Sequence, residues 1–264
     1  MPEGHTIHRI ARDHRRMLAG AAVSVRSPQG RFSDGAARLD GLTLQGVEAY
    51  GKHLFYRWED TSQLHVHLGL FGKFRVHAGP EPPTPTESVR LRIQGPEVSV
   101  DLTGPTICSL GNQSDRDRVV ARLGPDPLRS GADPERFYRR IGRSSAPIGG
   151  LLLNQSVISG VGNVFRAEAL FVCGIDPERP GKELSQGARH LLWHTIVLML
   201  KAGVKANRIV TVDRAELGLS RSERHRKDER TYAYKRQDCL RCGSPIRWFE
   251  LASRTCYACP ECQN

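Results

Sequence analysis

Asn154-Gln-Ser-Val-Ile-Ser-Gly-Val-Gly-Asn163 is the stretch on which the fold of this 264-residue chain turns. It joins two short apolar segments, Pro147 to Gln155 and Val164 to Cys173. Proline is favoured in a first helical turn, where its missing N–H costs nothing, so the spacing predicts a helix, a glycine turn over Ser159 to Asn163, and a second helix. Gly160 and Gly162 allow close backbone approach. The second helix would point unpaired N–H groups outward, a site suited to phosphate. An ordinary helical hairpin fits the same spacing equally well.

Toward the C-terminus, residues 185 to 202 have the pattern of an amphipathic helix. Asp213 to Arg230 is a charge-dense stretch that reads as a mobile loop, either solvated surface or, in a DNA-contacting protein, a segment folding over an extruded base. Two C-x2-C pairs follow, Cys239-Leu-Arg-Cys242 and Cys259-Pro-Glu-Cys262, with 16 residues between them. That spacing suits one tetrahedral, structural Zn2+ with the intervening chain as a β-hairpin whose tip falls near Leu251 to Ser253. Ile246, Trp248, Arg254 and Tyr257 would lie on this hairpin. Cys256 fits neither pair and reads as a free thiol, with a ligand exchange against Cys259 as the alternative.

Toward the N-terminus, Gly111 to Ser145 is polar and charged and marks the domain junction. Leu123-Gly-Pro-Asp-Pro-Leu128 and Ala132-Asp-Pro-Glu135 read as helix entries. From Ala22 to about Leu110 the pattern breaks into short alternating segments: 22–25, 42–50, 53–58, 64–68, 74–76, 89–93 and 98–102. Gly, Pro, Asp and Ser clusters separate them, which predicts an all-β sandwich or barrel with Pro80 to Pro85 as an edge loop. Ile7, Ile10, Ala11, Met17 and Leu18 predict a helix over 6–19, with Thr6 as its cap and Gly20 at its stop. The expected class is α+β with an N-terminal β-sandwich domain (1–115), a helical helix-two-turn-helix domain (116–230) and a zinc finger (231–264).

The chain has 39 Lys and Arg against 28 Asp and Glu, a net charge of +11, so an anionic polymer is the expected partner and nucleic acid outranks membrane. No apolar run approaches the ~18 residues of a spanning helix. Histidines and arginines crowd the first 16 residues where a secretory signal needs an apolar core, and five of seven cysteines fall within 239–264. The expectation is a cytoplasmic, nucleoid-associated monomer with a metal site and no disulfide framework.

Met1-Pro2-Glu3 carries the chemistry if the initiator methionine is removed. Pro2 then becomes a free secondary amine beside a carboxylate, and an α-amino group titrates near pH ~8, leaving a nucleophilic fraction at neutral pH. Attack on a sugar C1′ or a carbonyl carbon gives an iminium that cannot shed its charge by N-deprotonation. That cation is an electron sink.

Met1-Pro-Glu-Gly4, Gly51-Lys-His-Leu54, Leu123-Gly-Pro-Asp126, Asn154-Gln155 through Gly160-Val-Gly-Asn163 with Glu168, and the zinc hairpin with Arg254 and Gln263 occur in one order along nearly the whole chain. Together they resemble the formamidopyrimidine-DNA glycosylase and endonuclease VIII family of bifunctional DNA glycosylase/AP lyases. The resemblance implies extrusion of a damaged nucleotide, attack by Pro2, and β- then δ-elimination. It implies Glu3 as proton donor and shuttle, Lys52 on a phosphate and in proton transfer, and Arg254 on the flanking phosphates and in the second elimination. Asn163, and Arg122 more weakly, would hold phosphate, and Leu70 would fill the hole left by base flipping. The alternative for Leu70 and Phe71 is strand-end core. His65 and His67 share a strand face, and without a third ligand in view they read as structural or phosphate-contacting.

Departures bear on the substrate. The 8-oxoguanine branch carries an Arg-Arg-Phe-Gly element where this chain has Asp101-Leu-Thr-Gly-Pro-Thr106. With Gly4 in place of leucine, this resembles the endonuclease VIII side, so oxidised pyrimidines and abasic sites, in duplex or single strand, are expected. Thr6 replaces a usual glutamate and Gly149 a frequent phosphate-binding lysine, which bears on base excision more than on lyase activity. Two other classes compete: a catalytically weak or idle lesion-binding protein on the same scaffold, and an RNA-binding zinc-ribbon protein of the translation apparatus. The latter leaves Pro2-Glu3 and Asn163 unexplained.

Overall fold

The computed structural model describes residues 2–220 and 223–264; Met1, and Arg221 and Ser222 of the charge-dense stretch, lie outside the described residues. Its contacts divide the chain into two compact units. Residues 1–3 and 7–122 form one, and residues 4–6 and 123–264 the other.

Helix α1 (Gly4–Leu18) belongs to the first unit from Ile7 onward. Glu3 is its N-cap, so Thr6 sits inside the helix and is not the cap; its hydroxyl meets the His5 ring at 3.1 Å. Strand β1 (Ser24–Arg26) and helix α2 (Ser33–Leu39) follow, then β2 (Leu44–Tyr50), β3 (His53–Trp58), β4 (Gln63–His67), β5 (Lys73–Ala78), β6 (Val89–Gln94), β7 (Val98–Thr103) and β8 (Ile107–Gly111). These strands form two antiparallel sheets, ordered β1-β6-β7-β5 and β2-β3-β4-β8. Alternating side chains from both sheets, among them Val47, Leu54, Tyr56, Leu64, Val66, Leu91, Ile93 and Val100, join Ile7, Ala11 and Leu18 of α1 in one core. This is the packing that defines a sandwich. Buried His14 fixes α1 to the core through its Nδ1 and the Tyr56 hydroxyl, 2.8 Å apart.

Two elements of this unit have no counterpart in the sequence expectation beyond α2: strand β8, and helix α3 (Gln113–Ala121), which begins with a reciprocal Asn112/Asp115 capping box. The Pro-rich loop joins β5, an edge strand, to β6. It is pinned by Arg92, which binds the Asp101 carboxylate at 2.6 and 2.7 Å and donates to the Pro83 carbonyl at 2.7 Å.

The second unit contains α4 (Pro134–Gly142), α5 (Ile148–Leu153), α6 (Asn163–Val172), α7 (Gln186–Ala206) and the hairpin β9 (Arg247–Glu250) and β10 (Thr255–Ala258). Asp133 caps α4 with proline at the first turn, as Ala132-Asp-Pro-Glu135 predicts. Leu123 to Leu128 is no helix entry: it runs irregularly beside the turn before α6, with the Gly124 N–H on the Gln155 carbonyl at 2.8 Å. A Cβ at Gly124 would lie 2.5 Å from the Val157 carbonyl carbon, so the close passage explains the glycine. Helix α7 runs four residues past the expected end to Ala206 and stops at Asn207 in the left-handed conformation. Phe137, Ile148, Leu152, Ile158, Phe165, Leu170, Leu192 and Ile196 build this unit's core.

Candidate functional site

The sandwich gathers its functional side chains by register. Gly51-Lys52 forms a two-residue turn between β2 and β3, with Gly51 at φ 57°, so Lys52 is carried at a hairpin tip. His53 pairs with His67 on β4, and His67 with Ile107 on β8, which brings the Lys52 turn, the β4–β5 loop and the β7–β8 loop to one edge. Leu70 and Phe71 protrude from the β4–β5 loop, 48% and 84% exposed, and are not strand-end core. The loop is stiffened by His67, whose Nδ1 accepts the Gly69 N–H at 3.1 Å, and by the Gly72 N–H on the Leu68 carbonyl at 2.9 Å.

The histidine pair turns out to be a trio, because hairpin register sets His53 against both. Its Nδ1 lies 2.8 Å from His65 Nε2, and its ring is 4.8 Å from that of His67. Burial pushes His53 down to about 3 and His65 to about 4, and it lowers His67, helped by the Lys52 charge. The three rings are therefore neutral at neutral pH. Among the described residues only the four cysteines converge closely enough to hold a metal.

Pro2 precedes α1 and is partly buried. Glu3 is fully buried and makes no side-chain capping hydrogen bond. The next residue explains itself in the second unit: a Cβ on Gly4 would lie 2.9 Å from the Gly160 Cα, and its N–H donates to the Gly160 carbonyl at 2.8 Å. Leucine does not fit there. The close backbone approach that the glycine turn allows is made here to Gly4, within the same unit.

Asn163 opens α6 and is 8% exposed. Its amide donates to the Thr255 carbonyl at 3.0 Å, and its oxygen accepts from Arg166. Arg166, one turn on and fully buried, also donates to Thr255 at 2.9 Å and to the Leu251 carbonyl at 3.1 Å. These carbonyls flank the hairpin turn that carries exposed Arg254, closed by the Leu251 N–H on the Arg254 carbonyl at 3.0 Å. The structure thus joins Asn163 to the Arg254 hairpin. Arg166 escaped the sequence reading, although its i,i+3 spacing from Asn163 puts both on one helical face. Gly149 also meets this hairpin, where an added Cβ would stand 2.7 Å from Leu251 Cδ2, so a lysine has no room.

Arg122 is placed elsewhere. It is exposed at the C-cap of α3 and lines a 370 Å³ cavity with Phe55, His65 and Arg118 on the first unit.

The thiols of Cys239, Cys242, Cys259 and Cys262 lie within 4.8 Å of one another. Cys239 and Cys262 are 3.9 Å apart, and Cys242 and Cys259 3.4 Å. A tetrahedral ion with four bonds of ~2.3 Å needs sulfurs slightly under ~4 Å apart, so the set fits a metal. Hydrogen bonds from Ser244 lower Cys242 to about 6. Cys256, fully buried, lies outside the set, and Cys259 is inside it, which excludes the exchange. Glu168, raised by burial, accepts the Tyr232, Ala233 and Tyr234 N–H groups at 2.7, 2.9 and 2.9 Å, fixing the chain that enters the cysteine module. Nearby, Val164, Arg230, Thr231, Tyr234 and Arg236 line a cavity of about 720 Å³, within the range of ligand pockets. No helix among the described residues is long and apolar enough to cross a membrane.

Comparison with known proteins agrees with this arrangement. Residues 1–105 match the formamidopyrimidine-DNA glycosylase N-terminal domain, and residues 123–214 match that glycosylase's H2TH domain. Endonuclease 8 1 of Mycobacterium tuberculosis (strain ATCC 25618 / H37Rv) is 46% identical over 270 residues, covering all of both chains. Formamidopyrimidine-DNA glycosylase of Desulfitobacterium hafniense (strain Y51) is 28% identical over 273 residues, covering 100% of this chain and 98% of the relative. Lactococcus lactis Fpg, solved with abasic-site DNA, superposes with a TM-score of 0.80 at 23% identity over 99% of each chain, a likeness of fold. Two matched domains and a full-length relative at 46% identity lead to one conclusion: the chain belongs to the formamidopyrimidine-DNA glycosylase and endonuclease VIII family.

Proposed function

We propose that this protein removes oxidised bases, pyrimidines foremost, through a Schiff base on Pro2 and then cuts the strand by β,δ-elimination. At family level it is a base-excision DNA glycosylase and AP lyase with damaged DNA as its partner. Pro2, freed of Met1, attacks C1′ as the base departs, and the iminium acidifies the C2′ proton whose loss drives the first elimination. Glu3 gives and takes the protons. Lys52 at its hairpin tip holds a phosphate and assists proton transfer, and Arg254 at the C-terminal hairpin binds the phosphates that flank the lesion and assists the second elimination. Leu70, with Phe71 beside it, fills the space vacated by the extruded base, replacing stacking worth a few kcal/mol. Asn163 serves phosphate binding through the helix start it fixes, and Arg122 through its exposed charge. One Zn2+ on Cys239, Cys242, Cys259 and Cys262 would cross-link the C-terminal module and so orient Arg254. The parts correspond to a catalytic domain (1–115), a DNA-binding domain (116–230) and a zinc module (231–264) in a monomer at the nucleoid.

The observation that carries this reading is the fully buried Glu3 carboxyl directly beside Pro2 at the start of α1. A carboxyl kept from water beside a nucleophilic amine is placed for proton transfer. Borohydride trapping tests it. The zinc-loaded protein should cross-link to abasic and oxidised-pyrimidine DNA, and Pro2→Gly should not; equal trapping by the variant refutes the role of Pro2.

A further inference from the structure

The metal module also reaches away from its ligands. Arg241, between Cys239 and Cys242, holds its guanidinium carbon 5.0 Å from the centres of both the Phe171 and Tyr232 rings. Those rings are stacked on each other at 4.9 Å with 16° between their planes. The guanidinium also donates to Glu216 Oε1 at 3.1 Å, and the Tyr232 hydroxyl donates to the same oxygen at 2.9 Å. Glu216 belongs to the single turn Ala215–Leu217 in the charge-dense stretch. The Asp213 N–H closes the arrangement on the Tyr232 hydroxyl at 3.0 Å, and the Thr211 N–H pairs with the Arg230 carbonyl at 2.9 Å. Planar stacking and a directed ion pair suit arginine and not lysine.

We propose that Arg241 is a positioning residue, which transmits the order of the four-cysteine cluster through Glu216 and Tyr232 to residues 211–217, and so supports excision of a base but not cleavage at an abasic site. The argument for that division is local. Arg230, Thr231 and Tyr234, neighbours of Tyr232 in the chain, line the 720 Å³ cavity. In this proposal the cavity receives the extruded base, so a substrate that still carries its base needs those walls held in place. An abasic sugar presents nothing to that cavity. The proposal rests on the glycosylase reading above.

The test uses the full zinc-loaded chain and its Arg241→Gln, Arg241→Lys and Glu216→Gln variants. Zinc content should equal the parent's in all three. Amide hydrogen exchange over 211–217, measured without DNA, should rise in Arg241→Gln and Glu216→Gln, with Arg241→Lys between them and the parent. Single-turnover excision of an oxidised pyrimidine should fall about fivefold, the size expected for one partly exposed ion pair with its cation–π contacts, while abasic-site cleavage stays unchanged. Exchange equal to the parent's in Arg241→Gln with zinc retained overturns the proposal. So does an equal loss of excision and abasic cleavage in the Glu216→Gln variant. A parent that fails to trap on any DNA sinks the glycosylase reading alone, and the exchange data still decide whether Arg241 orders the segment.

Discussion

Replacing Arg166 by methionine should unfasten the Arg254 hairpin while leaving Arg254 itself in place. The buried guanidinium donates to the Thr255 carbonyl at 2.9 Å, the Leu251 carbonyl at 3.1 Å and Asn163 Oδ1. Charge-assisted bonds of this kind are each worth about 1.5–3 kcal/mol. Against this stands the desolvation of a fully buried cation, which cancels much of the gross gain. Neither carbonyl is left bare on substitution, because Thr255 keeps Asn163 and Leu251 keeps the Arg254 N–H at 3.3 Å. The net loss should therefore be about 2–3 kcal/mol, or about 4–12 °C in melting temperature for a domain of this size. The functional effect should fall on the second elimination. On end-labelled abasic duplex, gel separation of the two cleavage products should show the β-product accumulating in Arg166→Met at unchanged zinc content, as in Arg254→Ala. The parent's melting temperature together with the parent's product ratio would refute the reasoning, since both rest on the same three bonds.

Other perturbations have signs that the structure fixes. Burial holds His14 down to about 4, below the ordinary 6.5, so the unfolded chain binds more protons between these values and this group's contribution to stability is lost as pH falls through that window. The contribution is about 3 kcal/mol at most, and His14→Gln, which keeps an acceptor for Tyr56, should flatten the denaturation midpoint between pH 6.5 and 4 relative to the parent. Gly149→Ala should reverse the usual helical gain of ~1 kcal/mol and cost about 1 kcal/mol net, because the new Cβ meets Leu251 at 2.7 Å and the Pro177 carbonyl at 3.0 Å; a stabilised variant in thermal melts would dismiss the contact. Chelation of the metal should redden the emission of Trp248, which packs edge-on against Tyr257 at 5.0 Å and donates to the Arg236 carbonyl at 2.7 Å, and should weaken DNA binding in parallel. Full binding with the emission shifted would separate the module from DNA recognition.

The parts legible in the sequence are those whose physics is local. Two C-x2-C pairs can close on one ion only through a hairpin, and β9 and β10 fall on either side of the expected tip. The β-strands announce themselves by alternation, and β3 begins and ends at the residues the pattern marks. Helix α3 was hidden because it buries none of its residues; it is secured by Asn112 and Asp115 at its start and by Arg116 on Glu48, and it offers no apolar stripe to read. Helix α2 has seven residues, too few for propensity to decide, and forms because Ala36 and Leu39 are buried. Strand β8 mixes serine and glycine into five residues and is specified by β4, its partner 44 positions away.

The site divides the same way: from sequence Gly4 reads as a mark of the endonuclease VIII side and Gly149 as a missing phosphate-binding lysine, and packing accounts for both. At both positions the sequence shows a side chain absent, while the structure shows a neighbour occupying its space: the Gly160 backbone in one case, Leu251 and Pro177 in the other. A lysine at position 149 would displace the hairpin turn that holds Arg254. Arg166 is the converse. A single arginine in the apolar run of α6 carries no signal that it lies inside, because a buried cation needs acceptors for its guanidinium, and here two of them lie 85 and 89 residues downstream. Pro2, Glu3 and Lys52 stand out as candidates in a handful of residues, but the means by which the second unit keeps Arg254 in place is a property of packing, and no pattern along the chain records it.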